Sequence, residues 1–257
     1  MAPMSDLPPP PPPSNLSPPP GYVPYGIGAA GVGNLRTTRG LAKWLVALLG
    51  ISLVMQVVTL LVQFALRRSA TNFIQGSISS SQFDKKLGLY LAMIALAAVA
   101  ATGQLVVLIV WTFRLAKNHQ VLQRQPQSFS PGATIAINIL GGCTLFILNF
   151  FMWRELWRAS DPDTPRGAAY KQGPVTPLLG VYLAMTICGA VASVAIGLTG
   201  TIGPIRTGSS STDLAKNLDG KLGFVLLAGA LSMAAAAVFL VFVRQLSARH
   251  IRAIGEA

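Results

Sequence analysis

Residues 130–162 read SPGATIAINILGGCTLFILNFFMWRELWRASDP. Ser130-Pro131-Gly132 is a helix start: a serine oxygen accepts an early N–H, and proline sits where the first turn needs no donor. The apolar run that follows, 132–153, is 22 residues long, enough to cross a bilayer core of about 30 Å. Its middle holds Gly141-Gly142, flanked by Asn138 and Asn149. A glycine pair weakens a helix where a segment that enters and leaves by one face must turn. Each half is about nine residues, or about 13 Å of helix, enough to approach mid-bilayer and return. At the exit Trp153 and Trp157 share one helical face and Arg154 and Arg158 another, an interfacial pattern. Whether this stretch crosses or turns back decides between five spans and four.

Four other apolar stretches surround it: 44–66, 87–113, 177–203 and 222–243, with lengths of 23, 27, 27 and 22 residues. None carries a charge in its interior, and each is long enough to span. The 257 residues are 52% hydrophobic and 11% charged. Soluble domains carry about 25% charged residues, so too little charge is present to coat a water-facing surface. The composition therefore predicts an all-α integral membrane protein.

The basic residues choose between four and five spans. If the N-terminus is cytoplasmic and 132–153 turns back, 13 of the 20 Lys and Arg fall inside and 7 outside. If it crosses, the split is 9 inside to 11 outside, or the reverse, so four spans with both ends inside is the better-biased arrangement. The expectation is four transmembrane helices in two hairpins plus a central re-entrant or interfacial segment, both termini cytoplasmic, with five spans as the alternative. A weak repeat agrees. Gly76-Ser77 to Asp84 leads into Lys86-Leu87-Gly88, and Gly208-Ser209 to Asp219 into Lys221-Leu222-Gly223. Two hairpins of the same orientation allow such a duplication.

Residues 1–40 differ in kind. Eleven of the 18 prolines lie at or before Pro24, followed by a glycine-rich run, so a disordered Pro/Gly-rich cytoplasmic tail is expected ahead of a helical membrane domain at 41–257. The tail lacks the charged start and apolar core of a signal peptide. The formal net charge of +12 comes from basic residues in small groups beside apolar runs, which reads as topology and not as a nucleic-acid surface. Cys143 and Cys188 lie in apolar stretches and are expected as buried free thiols.

Small residues recur at four-residue spacing, Gly189-Ser193-Gly197 and Ala228-Ser232-Ala236, as close helix packing requires. Gln56, Gln63 and Gln104 are candidate interhelical amides. His119 and His250 lie just past apolar runs and are expected to face the cytoplasm. No metal-ligand spacing, phosphate loop or carboxylate within a span is present, so neither a cofactor nor an enzyme is expected. Arg114, Arg154 and Arg158, with Glu155 and Asp161 to pair with them, read as a Trp-anchored cuff at the membrane surface or as an anionic-headgroup site.

Trp111-Thr112-Phe113-Arg114, Lys117-Asn118, Ser130-Pro131-Gly132 and Glu155-Leu156-Trp157-Arg158-Ala159-Ser160-Asp161-Pro162 together resemble the actinobacterial-type membrane family called domain of unknown function 4328. The resemblance spans roughly 41–250, and its specific motifs lie in 111–162. On it, Arg114, Asn118, Glu155, Trp157, Arg158 and Asp161 fall on recurring family positions. Family members usually carry proline in the middle segment near its asparagine, whereas this chain has Gly141-Gly142 and no proline there. The resemblance implies a bacterial cell-membrane protein and supplies no activity. The expected function is a non-enzymatic scaffold or accessory subunit that binds lipid, a partner protein or a second copy. The alternative is a small-solute channel or transporter lined by the broken third segment, with Asn138, Gly141, Gly142 and Asn149 as pore or hinge.

Overall fold

A computed structural model describes residues 35–164, 167–198 and 222–256, with Thr212, Ala215 and Lys216. The described residues form helices joined by turns. Helix α1 (Arg39–Ile74) has 36 residues and α2 (Ser80–Val121) has 42, about 54 Å and about 63 Å at the α-helical rise. Both outrun the apolar stretches 44–66 and 87–113, because polar flanks continue a helix that the bilayer no longer requires. Gly76 ends α1 at φ +72, a left-handed position open to glycine. Ser79 restarts the chain, its hydroxyl accepting from the Gln82 N–H in a reciprocal capping box.

The third stretch is not one helix. Helix α3 (Pro131–Leu140) starts as its sequence predicts, Ser130 Oγ accepting from the Ala133 N–H at 3.2 Å with proline in the first turn. A single 3-10 turn, Gly141–Thr144, follows, and α4 (Ile147–Ala159) leads away. The break lies near the expected place but on other residues. Leu145 and Phe146 adopt the left-handed region at φ 48 and 60, while Gly141 is right-handed, so the strain of the reversal falls on two side-chain-bearing residues. Gly141 is required for a different reason. A Cβ there would lie 2.7 Å from Asn149 Oδ1, whereas one on Gly142 would meet nothing within 4 Å. The arms fold back together: the Ser128 N–H, ahead of α3, donates to Glu155 Oε1, near the end of α4, at 2.7 Å.

Helix α5 (Pro177–Leu198) and α6 (Leu222–Ile254) complete the bundle. Helix α6 packs between α5 and α1, α3 lies on α2, and α4 lies on α5. The small residues do bring backbones together: a Cβ on Gly189 would sit 3.6 Å from Ser232 Oγ, and one on Gly229 would sit 3.0 Å from Leu60 Cδ1. Among the described residues, α1, α2, α5 and α6 are long and apolar enough to cross a membrane. Their outer faces expose large apolar side chains such as Val54, Leu61, Val99 and Val191, a surface suited to lipid and not to water.

The start of α1, the end of α2, both arms of the α3–α4 hairpin and the end of α6 meet at one end of the bundle. A core of Trp111, Trp153, Trp157, Phe239 and Phe242 packs there, with Trp153 centred 5.5 Å from Phe239 and 5.8 Å from Phe242. Trp153 and Trp157 are therefore core residues and not the interfacial anchors expected, because α6 presents phenylalanines to that face of α4. Cys143 and Cys188 are free as expected but exposed, since each lies on an outward face. The proline-rich segment up to residue 34 and most of the second Ser-rich loop lie outside the described residues. Residues 35–38 lead into α1 and pack on the end of α2, through the Arg36 backbone and the Thr37 carbonyl.

Candidate functional site

Asn118, in the last turn of α2, is fully buried and joins three parts of the chain. Its Oδ1 accepts from the Arg36 N–H at 2.8 Å, and its Nδ2 donates to the Arg36 carbonyl at 2.9 Å. Nδ2 also lies 3.0 Å from His250 Nε2, on α6. Because Nδ2 only donates, His250 Nε2 accepts, which leaves the ring proton on Nδ1. That nitrogen faces Ser160 Oγ at 3.3 Å, and Ser160 Oγ in turn faces His119 Nε2 at 3.0 Å. Contrary to expectation, neither histidine faces solvent. They pack edge to face at 5.2 Å in the interior, since each finds a polar partner where helix ends meet.

The remaining family-motif residues at this end are also engaged. Arg114 Nη1 donates to the Thr37 carbonyl at 2.9 Å. Asp161 pairs with Arg249 at 2.6 Å, and the Arg249 guanidinium stacks on Trp157 at 4.9 Å. The carboxylate of Glu256 accepts from the N–H groups of Thr38 and Arg39 at 3.1 and 3.3 Å, a negative charge on the positive end of α1. The expected cuff, with Asp161 and Glu155 paired to Arg114, Arg154 and Arg158, is not what forms. Asp161 takes its partner from α6, and Glu155 takes neutral donors.

Arg154, Glu155 and Arg158 lie on the opposite face of α4. Glu155 Oε1 accepts the Ser128 N–H and lies 2.9 Å from Tyr170 Oη, which is also 2.8 Å from the Pro126 carbonyl. Burial, then the hydrogen bond to Glu155 and its charge, push the Tyr170 phenol well above its ordinary range. Arg154 and Arg158, with Lys171, Phe129 and Phe151, border a cavity of about 310 Å³. Burial and then the neighbouring Arg154 charge lower Arg158 from the usual arginine range.

Asn138 and Asn149 face neither cluster. They line a chamber of about 440 Å³ to which each of the helices α1 to α6 described above contributes, with Ser52, Gln56, Gln104 and Ser232. A second chamber of about 380 Å³ shares those last four residues and extends along α1 past Thr59 to Gln63. Gln104 Oε1 accepts from Ser52 Oγ at 2.7 Å, as an interhelical amide should. The four glycine and asparagine positions expected to act together divide: Gly141 leaves room for Asn149, a Cβ on Gly142 would meet nothing within 4 Å, and the asparagines line the chamber. Sequence reading missed His119, His250, Ser160 and Tyr170. The only available signal was a polar residue placed at a helix end with the periodicity of its buried face. Among the described residues, no group of three or more His, Cys, Asp or Glu is placed to hold a metal.

Residues 75–248 match the family described as Domain of unknown function (DUF4328). No curated protein and no solved structure matches the chain.

Proposed function

The chain belongs to that family, and from this premise we propose that it is a non-enzymatic membrane protein that holds anionic phospholipid on the outer face of its α3–α4 hairpin. The observation that carries the reading is a stripe on α4. Ile147, Phe151, Arg154 and Arg158 follow one another at spacings of four, three and four residues, and so share one face. Ile147 and Phe151 are 46% and 45% exposed, and Lys171 closes the basic end. A phospholipid presents its parts in the same order, acyl chain and then phosphate. Arginine suits the phosphate because its planar fork binds two oxygens at once. Among the described residues no carboxylate pairs with Arg154, Arg158 or Lys171.

In the bilayer, α1, α2, α5 and α6 span, and the hairpin enters and leaves on the side that holds both termini. The 13 to 7 division of basic residues makes that side cytoplasmic, in a bacterial cell membrane. A lipid held there suits a scaffold or accessory subunit, with a partner protein or a second copy docking against it. The test is lipid retention in native mass spectrometry from membranes containing phosphatidylglycerol. Arg154→Gln with Arg158→Gln should lower bound phosphatidylglycerol at least fivefold, at about 1 kcal/mol per basic residue near the surface, with insertion unchanged. Equal retention overturns the reading. A second reading, a small-solute channel or transporter, has the interior chamber in its favour. The aromatic packing of Trp111, Trp153 and Phe242 beside that chamber counts against an open pore.

A further inference from the structure

The chamber between the helices has the composition of a ligand pocket. Its walls are mostly apolar, with Leu49, Leu105, Leu108, Phe146, Met185 and Phe239 among them, and its lining includes no charged side chain. At about 440 Å³, with a neighbouring chamber of about 380 Å³ sharing part of its wall, it falls in the size range of small-molecule sites. Hydroxyls of Ser52, Thr186, Ser193 and Ser232 line it beside the amides, but the side-chain atoms left without a partner are of one kind. Asn138 and Asn149, both more than nine-tenths buried, and Gln56 each have a side-chain oxygen that bonds nothing.

The orientation of Asn138 is dictated by chemistry. Its Nδ2 lies 2.8 Å from the Thr134 carbonyl, which can only accept, and 3.0 Å from Thr112 Oγ1. Oδ1 must therefore be the atom left without a partner, an acceptor in need of a donor. A buried acceptor without a partner costs about 1–3 kcal/mol, and the three residues that carry them line one chamber. The chamber lining offers no cation or anion to balance a charge on a ligand, and burying an unbalanced charge at membrane depth is unfavourable.

We propose that the chamber binds an uncharged lipophile that carries a hydroxyl donor, its apolar body against the leucine and phenylalanine walls and its hydroxyl bonded to the Asn138, Asn149 or Gln56 oxygen. The site is separate from the basic stripe on α4, so it stands or falls independently of headgroup binding. The whole protein in phosphatidylcholine nanodiscs is to be titrated with 4-hexylphenol and with 4-hexylanisole, which differ by replacement of the O–H with O–CH₃. Affinity is read from the rise in unfolding temperature with ligand concentration. The phenol should bind about tenfold more tightly than the anisole, the ratio one buried hydrogen bond supplies. That advantage should shrink severalfold in at least one of Asn138→Ala, Asn149→Ala and Gln56→Met, with anisole binding little changed. Gln56 makes no hydrogen bond among the described residues, so Gln56→Met removes an acceptor and no bond of the fold. Equal affinities for the two compounds in the unsubstituted protein, as for a chamber satisfied by water alone, would overturn the proposal. So would an advantage unchanged in all three variants.

Discussion

Asn118→Leu tests whether the family motif at the end of α2 is a fastener. The substitution keeps the branching and heavy-atom count of a fully buried side chain and removes its three polar contacts. The bond to His250 is buried, so losing it leaves a ring nitrogen without a partner, at about 1–3 kcal/mol. The two bonds to the Arg36 backbone are only partly buried, and water replaces them at about 0.5 kcal/mol each. The total is about 3 kcal/mol, or about a hundredfold in the unfolding equilibrium. Arg114→Leu, which loses one exposed bond to the Thr37 carbonyl, should cost about 0.5 kcal/mol. Steric-trapping measurements of unfolding in bicelles give both values, and hydrogen exchange at the Arg36 amide should quicken in Asn118→Leu. A cost below about 1 kcal/mol, or one no larger than that of Arg114→Leu, would refute the reasoning.

Gly141→Ala should lower stability by about 1–3 kcal/mol through the clash with Asn149, and Gly142→Ala should be neutral; equal effects in thermal unfolding would refute the packing account. Asp161→Asn should cost about 1–2 kcal/mol, since the pair with Arg249 is 20% exposed on each side and is reinforced by Trp157; a loss at least as large in 1 M salt as in low salt would contradict an ionic origin. Because the folded state raises the Tyr170 phenol, its contribution is complete below the ordinary phenol range and is lost as pH rises above about 10. The stability difference between the unsubstituted protein and Tyr170→Phe should therefore narrow above that pH and stay constant between 6 and 9.

The helices and their order were legible because the apolar blocks are long and the charges between them few. The break in 132–153 was legible from Gly141-Gly142, yet its chemistry was not. Nothing local marks Leu145 and Phe146 as the left-handed pair, since the hairpin imposes that conformation from outside. The partners of Asp161 and Glu155 escaped for the same reason: Arg249 lies 88 residues away on α6, and Tyr170 belongs to a connector with no periodicity. His119 and His250 read as surface groups because each is polar and follows an apolar run. Only the convergence of helix ends makes that place an interior.

The most direct test of the account is the side of the membrane on which the connector after α4 lies. With Cys143 and Cys188 replaced by serine, single cysteines at Leu35, Ser79 and Ala168 are treated in intact cells with a membrane-impermeant maleimide. The re-entrant hairpin predicts that Ser79→Cys labels at once, whereas Leu35→Cys and Ala168→Cys label only after permeabilisation. Labelling of Ala168→Cys in intact cells, with Leu35→Cys still protected, would place the connector outside and contradict it.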